Sequence, residues 1–415
     1  MDVAGIGVGA FENAINLTHV TFPEGLLYIE EDAFAYCEFI TEFFIPSTVE
    51  RIGERALDTD SLTAVHIAEN NAFYTDIDGV LFNKARTELI MYPNEKPGNS
   101  YRIPDGVVSL HELVFATCDQ LTSITLSDDV AEIGTEALEY CSSLSEICVT
   151  ENNSWFTSVD GVLFSKDMTR IVRYPEGNTR TSYKVPDGVR VIGDSAFYIC
   201  NNLYKITLPE GVTTIENYAF NSCKNLSVLN FPDTITQIGE RVITFSSALR
   251  HITLPKGMTS VNEIAFWDSN GLRSITIPTS IKIVGDDAFL NCTNLTDIYY
   301  EGTESDWNSI GFVSYDTEFQ KATVHMSSSG PDVMQAITGD VSMDETIGID
   351  DASMTLSIYA NQAAGLSNDR YTAGQLISAD TDGAGSIDIT DASAILSFYA
   401  QNAAGLRANW ADVLN

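Results

Sequence analysis

Apolar and polar residues alternate over short segments throughout the first 325 residues. One such segment runs from Leu121 through Ile124 to Leu126 in the form Leu-x-x-Ile-x-Leu, and these segments are rich in Ile and Thr. Alternation with a period of two, in residues of this kind, predicts half-buried β-strands. Proline directly follows several segments and, since it has no N–H to donate to a ladder, we expect each strand to end there. These prolines are Pro46, Pro209, Pro255 and Pro278.

The segments belong to a longer repeated phrase, Ile-Gly-x-x-Ala-Phe-x-x-Cys-x-x-Leu-x-x-Ile-x-Leu-Pro, which is clearest from Ile192 to Pro209. Its large apolar residue, called the plug below, recurs mostly every 23 residues. The plugs are Phe11, Phe34, Leu57, Phe115, Leu138, Phe197, Phe220, Ile243, Phe266 and Phe289. A fixed period of this length predicts a solenoid, in which each unit buries its apolar face only against its neighbours.

Two steps between plugs are longer, because each contains about 35 extra residues (about 68–105 and 149–187). The two insertions are similar to each other: Tyr74 to Phe82 matches Phe156 to Phe164. We expect each to form a β-hairpin on the solenoid. Their duplication favours a building block of the repeat over a dedicated recognition arm, which stays the alternative.

These phrases resemble the BspA-like class of leucine-rich repeats from Gly9 to about Met326. The ending from Ile298 to Ile310 resembles the unit that closes that family's solenoid. The resemblance implies an elongated, β-rich leucine-rich-repeat solenoid over residues 1–326, made of α/β repeats of about 23 residues. The unit at Ile243 departs from the pattern, since Val-Ile stands where Ala-Phe is expected, and this should loosen packing there.

Composition limits the partners of this chain. The 415 residues include 58 Asp and Glu against 22 Lys and Arg, a formal net charge of −36, which repels nucleic acid phosphates and anionic lipids. No run of about 20 apolar residues could span a bilayer. We therefore expect no nucleic acid partner and no membrane insertion. The first residues lack the features of a signal peptide, so a secreted protein would be represented here in its mature form.

Cysteines and histidines give no sign of catalysis. Six cysteines stand three residues after a plug and are predicted to be small buried hydrophobes: Cys37, Cys118, Cys141, Cys200, Cys223 and Cys292. A bond such as Cys118 to Cys141 stays open in an oxidising compartment, and Cys148 is expected to be an outward thiol. The five histidines lie on different repeats without a recognisable triad. No catalytic residues are assigned, and we expect a protein that is not an enzyme.

The outward strand positions offer an extended surface suited to a protein or glycan ligand. These positions are Thr21, Phe44, His66, Thr125, Cys148, Thr207, Asn230, Thr253, Thr276 and Tyr299. Because Thr is favoured on exposed strands in any case, no single member is assigned a role.

A second domain follows a polar linker over residues 327–333. Residues 351–366 match residues 391–406 at 11 of 16 positions, and an acidic loop precedes each copy. Calcium prefers six to eight oxygen ligands, and a twelve-residue loop supplies them from positions 1, 3, 5, 7, 9 and 12. The first loop offers Asp340, Ser342, Asp344, the carbonyl of Thr346, and Asp351; the second offers Asp380, Asp382, the carbonyl of Ser386, Asp388 and Asp391. Ile347 and Ile387, at position 8, should pair in the core.

Two loop-helix units with Asp at position 12 resemble dockerin modules, so we expect a small all-α dockerin over residues 334–415 with two EF-hand-like calcium loops. The resemblance implies two calcium ions and docking onto a cohesin module of a scaffoldin, in two orientations. The residues carried over for cohesin contact are Ile349, Asp350, Ser353, Ser357, Ile389, Thr390, Ser393 and Ser397. Ile349 and Ile389 could instead only cover the core.

Two departures weaken the calcium loops. The first loop has Glu345 where the turn prefers Gly, and the second has Ala384 where a carboxylate is expected. Since fewer charged ligands lower calcium affinity, we expect water to fill the gap at Ala384 or the second loop to be the weaker site.

The leading hypothesis is a secreted, non-catalytic component of a cellulosome, the polysaccharide-degrading assembly, with the solenoid as a protein- or carbohydrate-binding module. The alternatives are a bacterial cell-surface adhesin and an enzyme or inhibitor acting through the hairpin insertions.

Overall fold

Most repeats supply two strands to the fold, but the segment from Leu17 to Phe22 forms none, so Thr21 is not on a strand as expected. The Leu-x-x-Ile-x-Leu segment forms one strand, as predicted, and the Ile before the repeat's Gly ends a second, shorter strand that the sequence interpretation missed. In the computed structural model, which describes residues 4–313, 317–330, 341, 347–364, 379, 381 and 387–404, the chain divides into two units. Unit 1 contains residues 1–179 and 189–200, and unit 2 contains residues 180–188 and 201–415. The strands form a β-solenoid of about 14 turns, called coils below, with few helices.

The described residues of unit 1 form seventeen strands. They are β1 (Gly5–Ile6), β2 (Tyr28–Ile29), β3 (Glu42–Ile45), β4 (Arg51–Ile52), β5 (Ala64–Ile67), β6 (Tyr74–Ile77), β7 (Val80–Asn83), β8 (Glu88–Met91), β9 (Ser100–Arg102), β10 (Ser109–Leu110), β11 (Ser123–Leu126), β12 (Glu132–Ile133), β13 (Glu146–Val149), β14 (Phe156–Val159), β15 (Val162–Ser165), β16 (Arg170–Arg173) and β18 (Val191–Ile192). Long strands stack in parallel as β3-β5 and β9-β11-β13, and short ones as β1-β2-β4 and β8-β10-β12.

Unit 2 contains the remaining strands and the helices. They are β17 (Ser182–Lys184), β19 (Lys205–Thr207), β20 (Thr214–Ile215), β21 (Val228–Asn230), β22 (Gln237–Ile238), β23 (His251–Thr253), β24 (Ser260–Val261), β25 (Ser274–Ile277), β26 (Ile283–Val284), β27 (Asp297–Tyr300), β28 (Gly311–Phe312), β29 (Thr323–Met326), α1 (Glu304–Trp307), α2 (Thr317–Lys321), α3 (Ile349–Ala363) and α4 (Ile389–Ala403). The parallel ladders are β17-β19-β21, β23-β25-β27-β29, β20-β22 and β24-β26-β28.

The plugs form the core between the two ladders. Phe34, Phe115 and Phe289 are fully buried, and rings of successive coils stack, as Phe266 does on Phe289 with centroids 5.2 Å apart. Phe11 differs, since 43% of it is exposed although it stacks on Phe34. Burial of one such side chain contributes about 1.5–3 kcal/mol, so the stack stabilises the coils in series.

The turn around each plug has an unusual backbone. Around every plug except Leu57, the residues two before and two after have positive φ, for example Asp32 (55°) and Tyr36 (60°), or Glu136 (56°) and Tyr140 (58°). This left-handed conformation costs non-glycine residues roughly 1–3 kcal/mol each. Backbone bonds between coils offset that cost: the N–H of Phe34, for instance, donates to the carbonyl of Ala56 over 3.0 Å.

The position directly after the short strand needs glycine because backbones of neighbouring coils approach closely there. A Cβ atom at Gly134 would lie 2.6 Å from the backbone nitrogen of Glu112, which is below any normal contact distance. The Ile-Gly pair of the repeat therefore reflects packing between coils.

The cysteines after the plugs are buried, as predicted, and all seven remain thiols. The Cys141 thiol donates to the carbonyl of Phe115 over 3.0 Å, and Cys37 bonds Phe11 in the same way. Burial raises the pKa of Cys118 and Cys141. The repeat register thus places these thiols beside a backbone carbonyl of the preceding coil, to which they donate.

Each inserted segment contains an antiparallel meander joined to the ladders. In the first inserted coil, residues 74–102, β6 pairs with β7 and β7 with β8, all antiparallel, while β8 joins β10 and β9 joins β11 in parallel. The second inserted coil, residues 156–179, repeats this through β14, β15 and β16, and β16 joins β18. The segments therefore supply coils of their own in addition to a hairpin.

Aromatic packing closes the repeats before the linker. Thr303 and Asp306 form a capping box at the start of α1, and Trp307 packs on Tyr300, Phe312 and Phe319. Farther along, α3 and α4 pack together around a cluster that contains Ile387, with Ile347 against it. The helices share one small core, which is separate from the plug stack.

One buried asparagine stands just before each inserted coil and fixes its start. The Asn153 amide donates to the carbonyls of Ser127 and Val130, both over 2.8 Å, and its oxygen accepts from the N–H groups of Trp155 (2.9 Å) and Phe156 (2.8 Å). Asn71 makes the matching four bonds before the first inserted coil.

We expect Asn153→Ala to destabilise unit 1 by about 3 kcal/mol or more, because four buried backbone groups lose their partner. Asn152→Ala is the matched control, since Asn152 is exposed, and it should change stability by less than about 0.5 kcal/mol. The midpoint of the first transition in urea unfolding measures both. Equal shifts for the two variants would contradict this role of Asn153.

Candidate functional site

The outward positions of the long strands come into register, as the sequence analysis required. Phe44 lies opposite His66, Thr125 opposite Cys148, and Thr207 opposite Asn230. In unit 2, Thr253, Thr276, Tyr299 and His325 follow one another across β23, β25, β27 and β29.

These positions differ in accessibility. Phe44 is exposed and stacks on His66 with centroids 4.8 Å apart. Thr276, predicted to be outward, is only 3% exposed, because the start of the linker passes over it and its hydroxyl donates to the carbonyl of Ser329 over 3.1 Å. The face in unit 2 is thus partly covered by the chain itself.

The histidines of unit 2 have partners that the sequence analysis did not foresee. His251 Nδ1 lies 2.5 Å from Ser274 Oγ, and His325 Nε2 lies 2.6 Å from Asp297 Oδ1. The bond from His325 lowers the pKa of Asp297. In the register, however, Ser274 stands between His251 and Asp297, whereas a hydrolytic triad has its histidine in the middle. These side chains therefore form cross-strand contacts that lack the order of a catalytic triad.

Cys148 is a free thiol at an outward strand position, as expected, but it is only partly exposed. Burial raises its pKa, with the carboxylate of Glu146 adding to the effect. Since the thiolate is the nucleophile, the site disfavours a reactive cysteine.

The aspartates at loop position 12 are buried at the starts of α3 and α4. Asp351 Oδ2 accepts from the N–H of Gly348 over 2.6 Å, and Asp391 Oδ2 accepts from the N–H of Asp388 over 2.8 Å. Gly348 and Asp388 are both at loop position 9, so the two copies make the same bond. Asp391 Oδ1 also accepts from the N–H and hydroxyl of Thr381, over 2.8 and 2.9 Å. Both carboxylates therefore face the backbone of their own loops.

The described part of the predicted calcium sites consists of Asp351, Asp388 and Asp391. Asp388 Oδ1 accepts from the N–H and hydroxyl of Thr390, which lowers its pKa. Hard carboxylate oxygens turned toward a loop fit the ligand preference of calcium. Among described residues, no three His, Cys, Asp or Glu side chains converge on one point. The other predicted ligands lie outside the described residues: Asp340, Ser342, Asp344, Thr346, Asp380, Asp382 and Ser386.

The residues carried over for cohesin contact all lie on α3 and α4. Ile349 is 67% exposed and Ile389 is 59% exposed, so neither covers the core. Ser357 is half-buried and the other five are exposed: Asp350, Ser353, Thr390, Ser393 and Ser397.

Two further pairs of exposed apolar residues were missed from the sequence. Leu356 and Leu396 are each 40% exposed, and Tyr359 and Tyr399 are similarly accessible. The positions follow Ile349 and Ile389 by seven and ten residues, which places them on the same side of each helix. Their identity in the two copies was the available signal. Below, "duplicated helix face" denotes the positions of Ile349, Leu356 and Tyr359 on α3 and of Ile389, Leu396 and Tyr399 on α4.

The repeats match a known family model and resemble solved structures. The profile of the BspA type leucine rich repeat region matches in six copies, over residues 2–100, 91–180 and 174–296. A leucine-rich cell surface protein from Faecalibacterium prausnitzii is 29% identical, with a TM-score of 0.52, over 72% of this chain and 89% of that one. A leucine-rich repeat protein from Eubacterium ventriosum is 21% identical, with a TM-score of 0.53, over 75% and 83%. The second similarity concerns the fold alone.

A search of curated proteins found no match. Across the described stretches of the chain, no helix combines the length and apolarity needed to cross a membrane.

We expect Asp391→Ala to expose the backbone at the start of α4. In calcium-free buffer, the amides of Thr381 and Asp388 should exchange with solvent roughly 10- to 100-fold faster, because each loses its carboxylate acceptor. Hydrogen-exchange NMR of the full chain measures this. Asp350→Ala removes an exposed carboxylate of α3 and should leave both rates unchanged; the same acceleration in that control would count against the assignment.

Proposed function

This chain belongs to the BspA-type leucine-rich repeat family, and on that basis we propose a non-catalytic extracellular protein with two binding parts. The solenoid binds a protein partner, and the C-terminal helix pair docks onto a cohesin module with the help of calcium. Cohesin docking would place the chain in a scaffoldin-based assembly such as a cellulosome.

The duplicated helix face carries the docking proposal. Apolar side chains that remain exposed at equivalent positions of two helices are typical of a surface that a partner covers. Serines and threonines beside them supply hydrogen-bonding groups at the edge of the patch, as protein interfaces commonly have. Since the face occurs twice, either copy can present the same contacts to one partner, which supports two docking orientations.

Calcium would bind to the two acidic loops. The first would use Asp340, Ser342, Asp344, the Thr346 carbonyl and Asp351, and the second Asp380, Asp382, the Ser386 carbonyl, Asp388 and Asp391. When bound, the ion supplies a positive charge that neutralises these carboxylates and ties each loop to the start of its helix. Asp351 and Asp391 are the residues that join loop to helix, because each already bonds the backbone of position 9.

The solenoid would act as a recognition surface beside the docking module. Stacked coils place outward side chains of many repeats in one row, which suits an extended partner. A surface location is supported by the similarity to the Faecalibacterium prausnitzii cell surface protein. The absence of triad order around Ser274 favours binding over catalysis.

The docking proposal is tested by calorimetric titration of the full chain with isolated cohesin modules, in calcium and in a chelator. We expect binding only in calcium. Ile349→Ala or Ile389→Ala alone should weaken it about twofold, because one of two equal orientations remains. The double variant should lose roughly tenfold or more, as expected for a central apolar contact.

Ile283→Ala is the control, since Ile283 is an exposed isoleucine of the solenoid, and it should not change the affinity. Binding that survives the chelator, or a double variant that binds like the parent chain, would refute this docking mode. Failure of every cohesin to bind would refute the dockerin assignment and leave the solenoid proposal standing.

A further inference from the structure

The two inserted coils share one backbone framework. Tyr92 N–H donates to the Val114 carbonyl over 3.0 Å, and Tyr174 N–H donates to the Ala196 carbonyl over 2.7 Å. The matching asparagines Asn71 and Asn153 make the same four bonds described above. These bonds relate residues 82 positions apart, which makes Met91 equivalent to Arg173 and Asn94 equivalent to Glu176. Asp58 and Glu139 correspond through the plugs, since each directly follows one, Leu57 or Leu138.

In the second inserted coil, this framework encloses a guanidinium group. Arg173 is 3% exposed; its Nη2 bonds Glu176 Oε1, and its Nη1 bonds the Ser195 carbonyl and lies 3.9 Å from Glu139 Oε1. Burial raises the pKa of Glu139 to about 7 even beside this cation. Two buried carboxyl groups therefore share one guanidinium.

In the first inserted coil, the equivalent place is an open cleft of about 590 Å³, all within unit 1. Met91 replaces the arginine, and the cleft lining includes Asp58 and Asn94, whose oxygen-bearing side chains correspond in sequence to the two glutamates. Asn94 is 9% exposed, lines the cleft, and its side-chain oxygen has no hydrogen-bond donor among the described residues. A buried acceptor without a donor costs about 1–3 kcal/mol, so a ligand with an N–H group would relieve it.

The charges around the cleft also favour a cation. The ionisable acidic and basic side chains in its lining are Glu54, Arg55, Asp58, His111, Glu112 and Glu136. Burial, with Asp60 and Asp32 nearby, raises the pKa of Asp58 to about 6, although Arg55 acts against the shift. Arg55 itself is held by Asp32, with Nη2 2.9 Å from its carboxylate, and by the Tyr36 hydroxyl at 3.2 Å. The lining thus retains an excess of carboxylates over cations.

We propose that this cleft binds the guanidinium group of an arginine side chain on a protein partner, in the place that Arg173 fills within the second inserted coil. A guanidinium group suits the site because it is planar and always charged, and its five N–H donors can serve a carboxylate and an amide oxygen together. The cleft gives the solenoid a specific protein contact that does not depend on the C-terminal module.

The test uses N-acetyl-L-arginine amide as the probe and its uncharged isostere, N-acetyl-L-citrulline amide, as the control. The full chain carries ¹³C-methyl methionine, and a chelator is present so that calcium docking cannot contribute. We expect the Met91 methyl signal to shift saturably, with a dissociation constant on the order of 1 mM, for the arginine probe only. The buried Met258 should not respond.

Three variants decide the assignment by saturation-transfer NMR of the probe. Asp58→Asn should weaken binding roughly tenfold or more, and Met91→Arg should abolish it by filling the cleft from within. Asp60→Asn, an equal change of charge at an exposed site two residues away, should stay within about twofold. Equal binding of the two probes, equal effects of the two aspartate variants, or unchanged binding to Met91→Arg would each overturn the proposal.

Discussion

The hydrogen bonds between successive coils are the constraint on which the rest of the structure depends. The N–H of a plug residue such as Phe266 reaches the carbonyl before the next plug, Ala288, and the parallel ladders repeat this registration on both sides of the core. Every coil must keep the register. The plug, the cysteine three residues after it and the glycine after the short strand therefore recur at fixed positions. Side chains that do not touch the ladder are left to vary, and the binding surfaces arise from them.

The inserted coils illustrate this separation of framework and surface. Asn71 and Asn153 fix identical loops, yet the side chains between them give two different results. In one coil, Arg173 fills the space and is held by carboxylates; in the other, Met91 leaves a cleft beside Asp58. The duplicated coil therefore has a structural role in its second copy and offers a candidate binding site in its first.

The C-terminal pair shows duplication used differently. Here both copies keep the same bond from loop position 9 to the position-12 aspartate, and both leave an apolar helix face exposed. The shared core around Ile387 holds the helices together, so the exposed residues are not needed for it. Equivalent faces on one small core are the physical basis for two docking orientations.

The sequence by itself determined the features that depend on spacing: the 23-residue period, the buried plugs such as Phe34, the thiol register and the duplicated loops. These follow from local pattern, since one repeat position meets the same environment in every coil. Only the tertiary structure decided the short strand before each Gly, the left-handed turns at residues such as Tyr36 and Glu136, the covering of Thr276 by Ser329, and the cleft beside Asn94. Each of these depends on atoms brought together from distant parts of the chain, and the residue type alone does not predict such contacts.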